Sequence, residues 1–229
     1  MKKKIIRVTT VPASLTGLLH GQLKFMSKYY DMIGVSSKGN KNQLNIVTKQ
    51  EGIPAVGIEM TRKITPFKDL KAVWKLYTLF KKEKPFIVHS HTPKAGTLSM
   101  LAAKLAGVPH RLHTIAGLPL LEATGFKRIV LNAVEKVTYA CASKIYPNSL
   151  GLQDIIIEHK FTKKNKLKVI GNGSSNGIDV ERFNPNNFND IKKKKALQKS
   201  LNINDTDFVF VFVGRLVADK GINELISAF

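Results

Sequence analysis

Two histidines separated by one residue, His89 and His91, stand at the end of an apolar run, and Lys94 follows where a helix should begin. In an extended strand residues i and i+2 share a face, so both imidazoles can point the same way. A helix N-terminus beside a lysine suits a negatively charged group. The competing interpretation is a satisfied strand-end histidine pair. His113, Thr114 and Asn148 also fall at the ends of predicted strands on the same rim. Several polar groups there point to a site without naming its ligand.

The glycines do not spell a dinucleotide fingerprint. The first strand-to-helix turn, Pro12-Ala13-Ser14-Leu15-Thr16-Gly17, lacks Gly-x-Gly-x-x-Gly. In Gly171-Asn172-Gly173-Ser174-Ser175-Asn176-Gly177 the last glycine comes one residue late, and Ile178-Asp179 follows in place of a packed small residue. Asp205-Thr206-Asp207 offers two carboxylates to a divalent metal and a diphosphate. It precedes its strand, however, whereas such sites lie beyond a strand's carboxyl end, so a turn is expected. The single cysteine, Cys141, excludes an intramolecular disulfide framework and a paired-cysteine zinc site, and fits a reducing compartment.

The elements that must position these groups alternate between buried-strand runs and helix-period segments, the pattern of a parallel sheet covered on both faces. Strands are predicted at residues 5–11, 31–36, 55–60, 86–91, 110–115, 144–147 and 167–170, with helices over 17–29, 44–49, from Pro66, and over 93–106 and 125–142. Leu70, Val73, Trp74, Tyr77 and Phe80 recur at helical spacing, backed by Lys68, Lys71, Lys75, Lys81 and Lys82. Phe126, Ile129, Val130, Ala133, Val134, Val137 and Cys141 likewise share a helix face. The fold class is therefore α/β, a Rossmann-like doubly wound sheet whose ligands bind beyond the carboxyl ends of the strands. The Asn-rich, Lys-rich segment 184–195 reads as a linker opening a polar helix. Residues 208–213 then form the most strand-like hexamer, before Gly214 and a helix from about Gly221. This places an N-terminal domain at 1–205 and the first strand and helix of a truncated second Rossmann-like domain at 206–229.

The 229 residues carry 37 Lys and Arg against 16 Asp and Glu, a formal net charge of +21, with 43% apolar residues. That is enough apolar material for a packed core and excludes a disordered basic tail. Residues 206–229 hold two basic and three acidic groups, so the first 205 carry +22. Nucleic acid, an anionic membrane surface and phosphorylated small molecules are the partners such a charge admits. No stretch approaches the length of a membrane span, and Met1-Lys2-Lys3-Lys4 lacks the long apolar region of a secretory signal.

Three segments together resemble the retaining glycosyltransferases of the GT-B fold, family 4, especially those that build capsular or other polyprenyl-linked surface glycans. They are residues 88–96, residues 169–183 with Gly171-Asn172-Gly173 and Gly177-Ile178-Asp179, and Val213-Gly214-Arg215-Leu216 through Lys220-Gly221. The resemblance implies two Rossmann-like domains facing a cleft, the first holding the acceptor and the second most of the donor. Gly214, Arg215 and Lys220 match the donor-diphosphate loop, whose fixed cations stabilise the departing diphosphate without metal or other cofactor. The Gly17 turn would let backbone approach the diphosphate, and His91, Lys94, Asn148 and Asn172 would line the cleft. Where the family commonly has a histidine before the glycine of Ala116-Gly117, this chain has alanine. His113 is the candidate substitute as catalytic residue. The family's paired glutamates would fall beyond Phe229, so the chain is expected to be inactive alone.

The resemblance also assigns the charge. The partners expected are a nucleotide sugar, a lipid-linked or saccharide acceptor and an anionic membrane surface, with no nucleic acid, for a cytoplasmic protein peripheral on the cytoplasmic face of the inner membrane. Residues 68–84 with Lys127 and Arg128 are candidates for the membrane-facing side. A sugar-nucleotide epimerase on the same fold and a basic nucleic-acid-binding domain are the alternatives; the second lacks a reader motif and interleaved aromatics.

Overall fold

The structure is a computed structural model that describes all residues except 1, 41, 62, 63, 175, 176, 189 and 190, and except the side chains of Phe188 and Asp219. Ser175 and Asn176 of the glycine-rich segment, and Asn189 and Asp190 of the expected linker, lie outside the described residues.

Among the described residues six strands, β1 (Lys4–Val8), β2 (Asp31–Ser36), β3 (Ala55–Gly57), β4 (Ile87–Ser90), β5 (His110–Ile115) and β6 (Lys144–Pro147), form one wholly parallel sheet of order β3-β2-β1-β4-β5-β6. Alternation of side chains along the strands divides the core into two layers. Ile5 and Met32 point to one side, where they bury Leu15, Leu19, Leu23, Val47 and Ile53. These come from the first crossover, with α1 (Gln22–Ser27), and from α2 (Gln43–Glu51) and the turn after it. Ile6, Val8, Ile33, Val35 and Val88 point to the other side, against α3 (Pro66–Glu83), α4 (Pro93–Leu105) and α5 (Gly125–Cys141), with α4 between its neighbours. Chain order reverses between β1 and β4, and in such sheets the crevice at that switch point takes the ligand.

Pro66 and Pro93 occupy the first turns of α3 and α4, where a missing N–H costs nothing. The helix expected over 17–29 is instead a wide turn at Ser14–Leu18 followed by α1, because Gly21 interrupts it at φ +70°. The buried Glu51 carboxylate, at the end of α2, accepts the Gly21 and Lys24 N–H groups and so caps α1 from outside. The strand expected at 167–170 reduces to a single bridge between Leu167 and Ile145. A further helix, α6 (Leu150–Glu158), which the sequence reading does not assign, opens on Ser149, whose Oγ accepts the Leu152 N–H.

Two helix faces depart from expectation. In α3, Val73, Leu76 and Phe80 are buried, but Leu70 is 70% and Trp74 66% exposed. In α5 the buried residues are Thr138, Tyr139 and Cys141, while Phe126, Ile129 and Val137 face solvent. A periodic apolar face says only that something covers it, and the sheet covers other residues here.

The chain divides into two compact units, Met1–Gly177 and Ile178–Phe229, earlier than the boundary at 205 drawn from sequence. None of the described residues between 178 and 205 is buried, so they add nothing to the first core. The second unit holds α7 (Ile191–Ser200), a tight turn at Ala218–Lys220 and α8 (Ile222–Ala228). Residues 208–213 are exposed and form no ladder, contrary to the expected strand. A strand is completed by a neighbour's N–H and C=O groups, and the described residues of this unit hold no second strand.

Candidate functional site

At the switch point the carboxyl ends of β1 and β4 frame a cleft of about 320 Å³, within the usual range for ligand pockets. Arg7 and His89 are register partners on these two strands, and His91 follows two residues on. The sheet alternation brings His89 and His91 to one face as expected, with ring centroids 4.1 Å apart. His89 Nε2 shares a 2.8 Å hydrogen bond with Thr114 Oγ1 on β5, and Tyr146 on β6 continues the wall. Thr10 and Thr92, immediately beyond the strands, pin the crevice with a 2.7 Å hydroxyl pair and a Thr10 N–H to Thr92 Oγ1 bond. Asn148, Gly173 and Ser174 close the far side. There the Ser174 N–H donates to the Asn148 carbonyl, and Gly173 sits at φ +89° where a Cβ would lie 2.2 Å from that same oxygen. Only glycine allows this approach.

The electrostatics of the cleft are one-sided. Among the described residues no Asp or Glu lines it, and Arg7 is 5% exposed. The guanidinium donates to Gln22 Oε1 at 3.2 Å and contacts Met26 Sδ at 3.3 Å, while its Nε–H finds no partner. Among the described residues no carboxylate pairs with it. Burial lowers its pKa to about 10, which leaves it charged at neutral pH. His91 is 4% exposed with both ring nitrogens unpartnered. Burial, then the neighbouring His89, Arg7 and His113, hold its pKa well below 6.5. Arg7 is the residue sequence reasoning missed, although a charge inside the apolar run of a central parallel strand, covered on both faces, is a visible signal.

The sequence matches the glycosyl transferase 4-like domain family over residues 39–173. The chain belongs to that family. It is 42% identical over 99% of its length to the capsular polysaccharide biosynthesis glycosyltransferase CapM of Staphylococcus aureus, covering 57% of that protein. It is 36% identical to the UDP-Gal:alpha-D-GlcNAc-diphosphoundecaprenol alpha-1,3-galactosyltransferase of Escherichia coli, over 70% of this chain and 40% of that one. The matched stretch thus spans 57% of the first and 40% of the second of these curated relatives. Among solved structures, a Rickettsia africae glycosyltransferase matches 99% of the chain and 56% of its own at TM-score 0.67 and 18% identity. A UDP-N-acetylglucosamine 2-epimerase matches 75% and 49% at TM-score 0.58 and 22% identity. These likenesses establish the GT-B-type Rossmann-like fold of the family's first half, and that fold serves both kinds of enzyme.

The family's expected site residues divide into three groups. His91 and Asn148 line the cleft, beside His89 and Thr114. His113, Lys94, Gly17 and Asn172 do not. His113 points to the opposite face of the sheet, where its Nδ1 shares a 2.8 Å hydrogen bond with Ser90 Oγ and its ring lies against Gly96. Lys94 is taken by Asp69, at 2.5 Å. Gly17 lies exposed in the Ser14–Leu18 turn with nothing within 4 Å of an added Cβ, and Asn172 is exposed. Gly214, Arg215 and Lys220 belong to the second unit, where Gly214 packs on the Phe212 ring and Lys220 ends the tight turn before α8. Asp207 accepts from the Asn204 N–H and Nδ2, so the Asp-x-Asp segment is a turn as expected.

Proposed function

We propose that this chain is the acceptor-side part of a retaining, metal-independent glycosyltransferase that moves a sugar from a nucleotide-diphosphate donor to a hydroxyl of a polyprenyl-linked or saccharide acceptor. The observation that carries the acceptor assignment is the cleft at the switch point, which among the described residues is lined by no acid and by one formal charge, a buried guanidinium. The identity to CapM, and to a transferase named for a diphosphoundecaprenol substrate, supports the same reading. Bond breaking moves negative charge onto the departing diphosphate, and Arg215 and Lys220 of the second unit are the cations that would steady it. The curated relatives are transferases rather than epimerases, which favours transfer over epimerisation.

The reading places the first unit on the cytoplasmic face of the inner membrane. Among the described residues no helix is long and apolar enough to cross a bilayer. Phe67, Leu70, Trp74 and Tyr77 instead line an apolar groove of about 740 Å³ along α3, with Lys71 and Leu105. Lys68, Lys71, Lys75 and Lys82 recur on the same helix one residue out of step, so an apolar stripe runs beside a cationic one. An interfacial helix on anionic lipid needs this pairing. Flotation tests the reading. The chain is expected to rise with vesicles carrying anionic lipid and a polyprenyl-diphosphate sugar, and equal recovery on plain neutral vesicles overturns it. Incubation of a form that carries the donor half as well with labelled nucleotide sugars alone separates the epimerase reading, which requires an epimerised nucleotide sugar without acceptor.

A further inference from the structure

We infer that the floor of the switch-point cleft, built by Arg7 and His91, is an oxyanion subsite that holds a phosphoryl group of the acceptor's diphosphate. The inference rests on the acceptor-side reading and says which atoms of this chain would meet the charge.

Removing a cation from water costs several kcal/mol unless a counter-charge or a full set of hydrogen bonds replaces the solvent. Arg7 has neither. Its guanidinium has five N–H donors, and among the described residues only Gln22 Oε1 and the weak acceptor Met26 Sδ receive from it. No carboxylate on β1, β4, α1 or the Asn148–Ser174 side compensates it. His91, buried beside it, keeps both ring nitrogens unbonded. Two adjacent strand ends therefore bring a fixed cation and an unsatisfied imidazole to the floor of one open cleft. Water alone leaves the cation uncompensated; a tetrahedral oxyanion supplies charge and several acceptors at once.

Phosphoryl oxygen is the chemistry that fits, and two substrates of the proposed reaction carry it. On the proposed function the donor's diphosphate would be met by Arg215 and Lys220 of the second unit, which leaves the acceptor's diphosphate as the group for a cation of the first. The Asn148–Ser174 wall, with Thr114 and Tyr146, then leaves room for the neighbouring sugar, in keeping with a cleft larger than a phosphate needs.

The test uses the purified 229-residue chain with inorganic pyrophosphate, farnesyl diphosphate and UDP, read by calorimetry and thermal shift. Farnesyl diphosphate and pyrophosphate are expected to bind the wild type, and Arg7→Met to weaken both by about tenfold or more, the value of a charge-assisted contact. Without ligand, R7M is expected to melt at or above the wild-type temperature, because an apolar side chain of similar length removes the desolvation cost. UDP binding is expected to be insensitive to R7M. Wild-type pyrophosphate affinity in a folded R7M overturns the subsite, and dependence of UDP rather than farnesyl diphosphate on Arg7 overturns its assignment to the acceptor. If R7M does not fold, His91→Phe decides: a clear loss of pyrophosphate affinity supports the subsite, and unchanged affinity overturns it. Flotation on acceptor-bearing vesicles that persists while pyrophosphate binding is absent would leave the acceptor reading standing and remove this subsite.

Discussion

Lys94 Nζ lies 2.5 Å from Asp69 Oδ2, with both side chains less than 20% exposed, and the pair ties the first turn of α4 to the first turn of α3. Asp69 also accepts from the Thr65 N–H and hydroxyl, so a single carboxylate closes the start of α3 and anchors its neighbour. The sequence places this lysine at a helix start beside two histidines, and in the structure its ammonium is paired with an acid of the neighbouring helix. Lys94→Met is therefore expected to cost about 1.5–3 kcal/mol, the value of a hydrogen bond to a charged group. Pyrophosphate binding should be unchanged. Chemical denaturation and calorimetry on the same variant check both halves, and a weakened ligand response with intact stability would return Lys94 to the site.

The His113 ring packs against Gly96 so closely that an added Cβ would stand 2.3 Å from its Cε1. Gly96→Ala gains helix propensity, about 1 kcal/mol in an exposed helix. It must also displace a buried ring that is bonded to Ser90, and overpacking of this kind costs about 1–3 kcal/mol. A net loss of stability is expected in urea denaturation. A variant as stable as the wild type would mean that the ring has room to move.

These two cases show what was legible in the sequence. The bounds of β2, β5 and β6 and the starts of α3 and α4 follow from apolar runs and from Pro66 and Pro93. The site was legible in part. Which of His113 and Thr114 faces the cleft is set by register: His89 pairs with Leu112, so Thr114, two residues on, shares its face and His113 does not. A single sequence gives alternation along a strand but not the pairing that fixes its phase. Likewise α5 has a clear apolar face, yet the contacts available to it bury Thr138 and Tyr139 instead. Arg7 was readable from its setting in β1, since only its charge interrupts Ile5, Ile6 and Val8.

Acid should destabilise the first unit through its buried imidazoles. Burial lowers the His113 pKa to about 4 from 6.5, and His91 well below 6.5. Between those values the unfolded chain binds protons that the folded chain does not, so stability falls with falling pH in that window. It is complete above pH 6.5 and lost progressively towards the folded value. For His113 alone the loss is about 3 kcal/mol across the window. Urea midpoints measured from about pH 7 to about pH 4.5 should decline, and His113→Gln should flatten the slope. A flat profile in the wild type would show that these rings are reached by solvent.

The exposed stripe of α3 carries the last prediction. Phe67 is 91% exposed and Trp74 66%, while the buried side of the same helix is filled by Val73, Leu76 and Phe80. Replacing Trp74 by Glu removes an interfacial aromatic and adds a repelled charge without touching the core. Stability should stay within about 0.5 kcal/mol, as for most surface changes. Affinity for anionic vesicles should fall sharply. Neutralising Lys68, Lys71 and Lys75 together removes about 1 kcal/mol each near the lipid surface, roughly a hundredfold in partition at low salt. Because that attraction is screened within a Debye length, the gap between wild type and the lysine variant should narrow as salt is raised, whereas the Trp74→Glu defect should persist. Vesicle partition measured across salt separates the two contributions. If both variants bind anionic vesicles as the wild type does, α3 is not the face that meets the membrane.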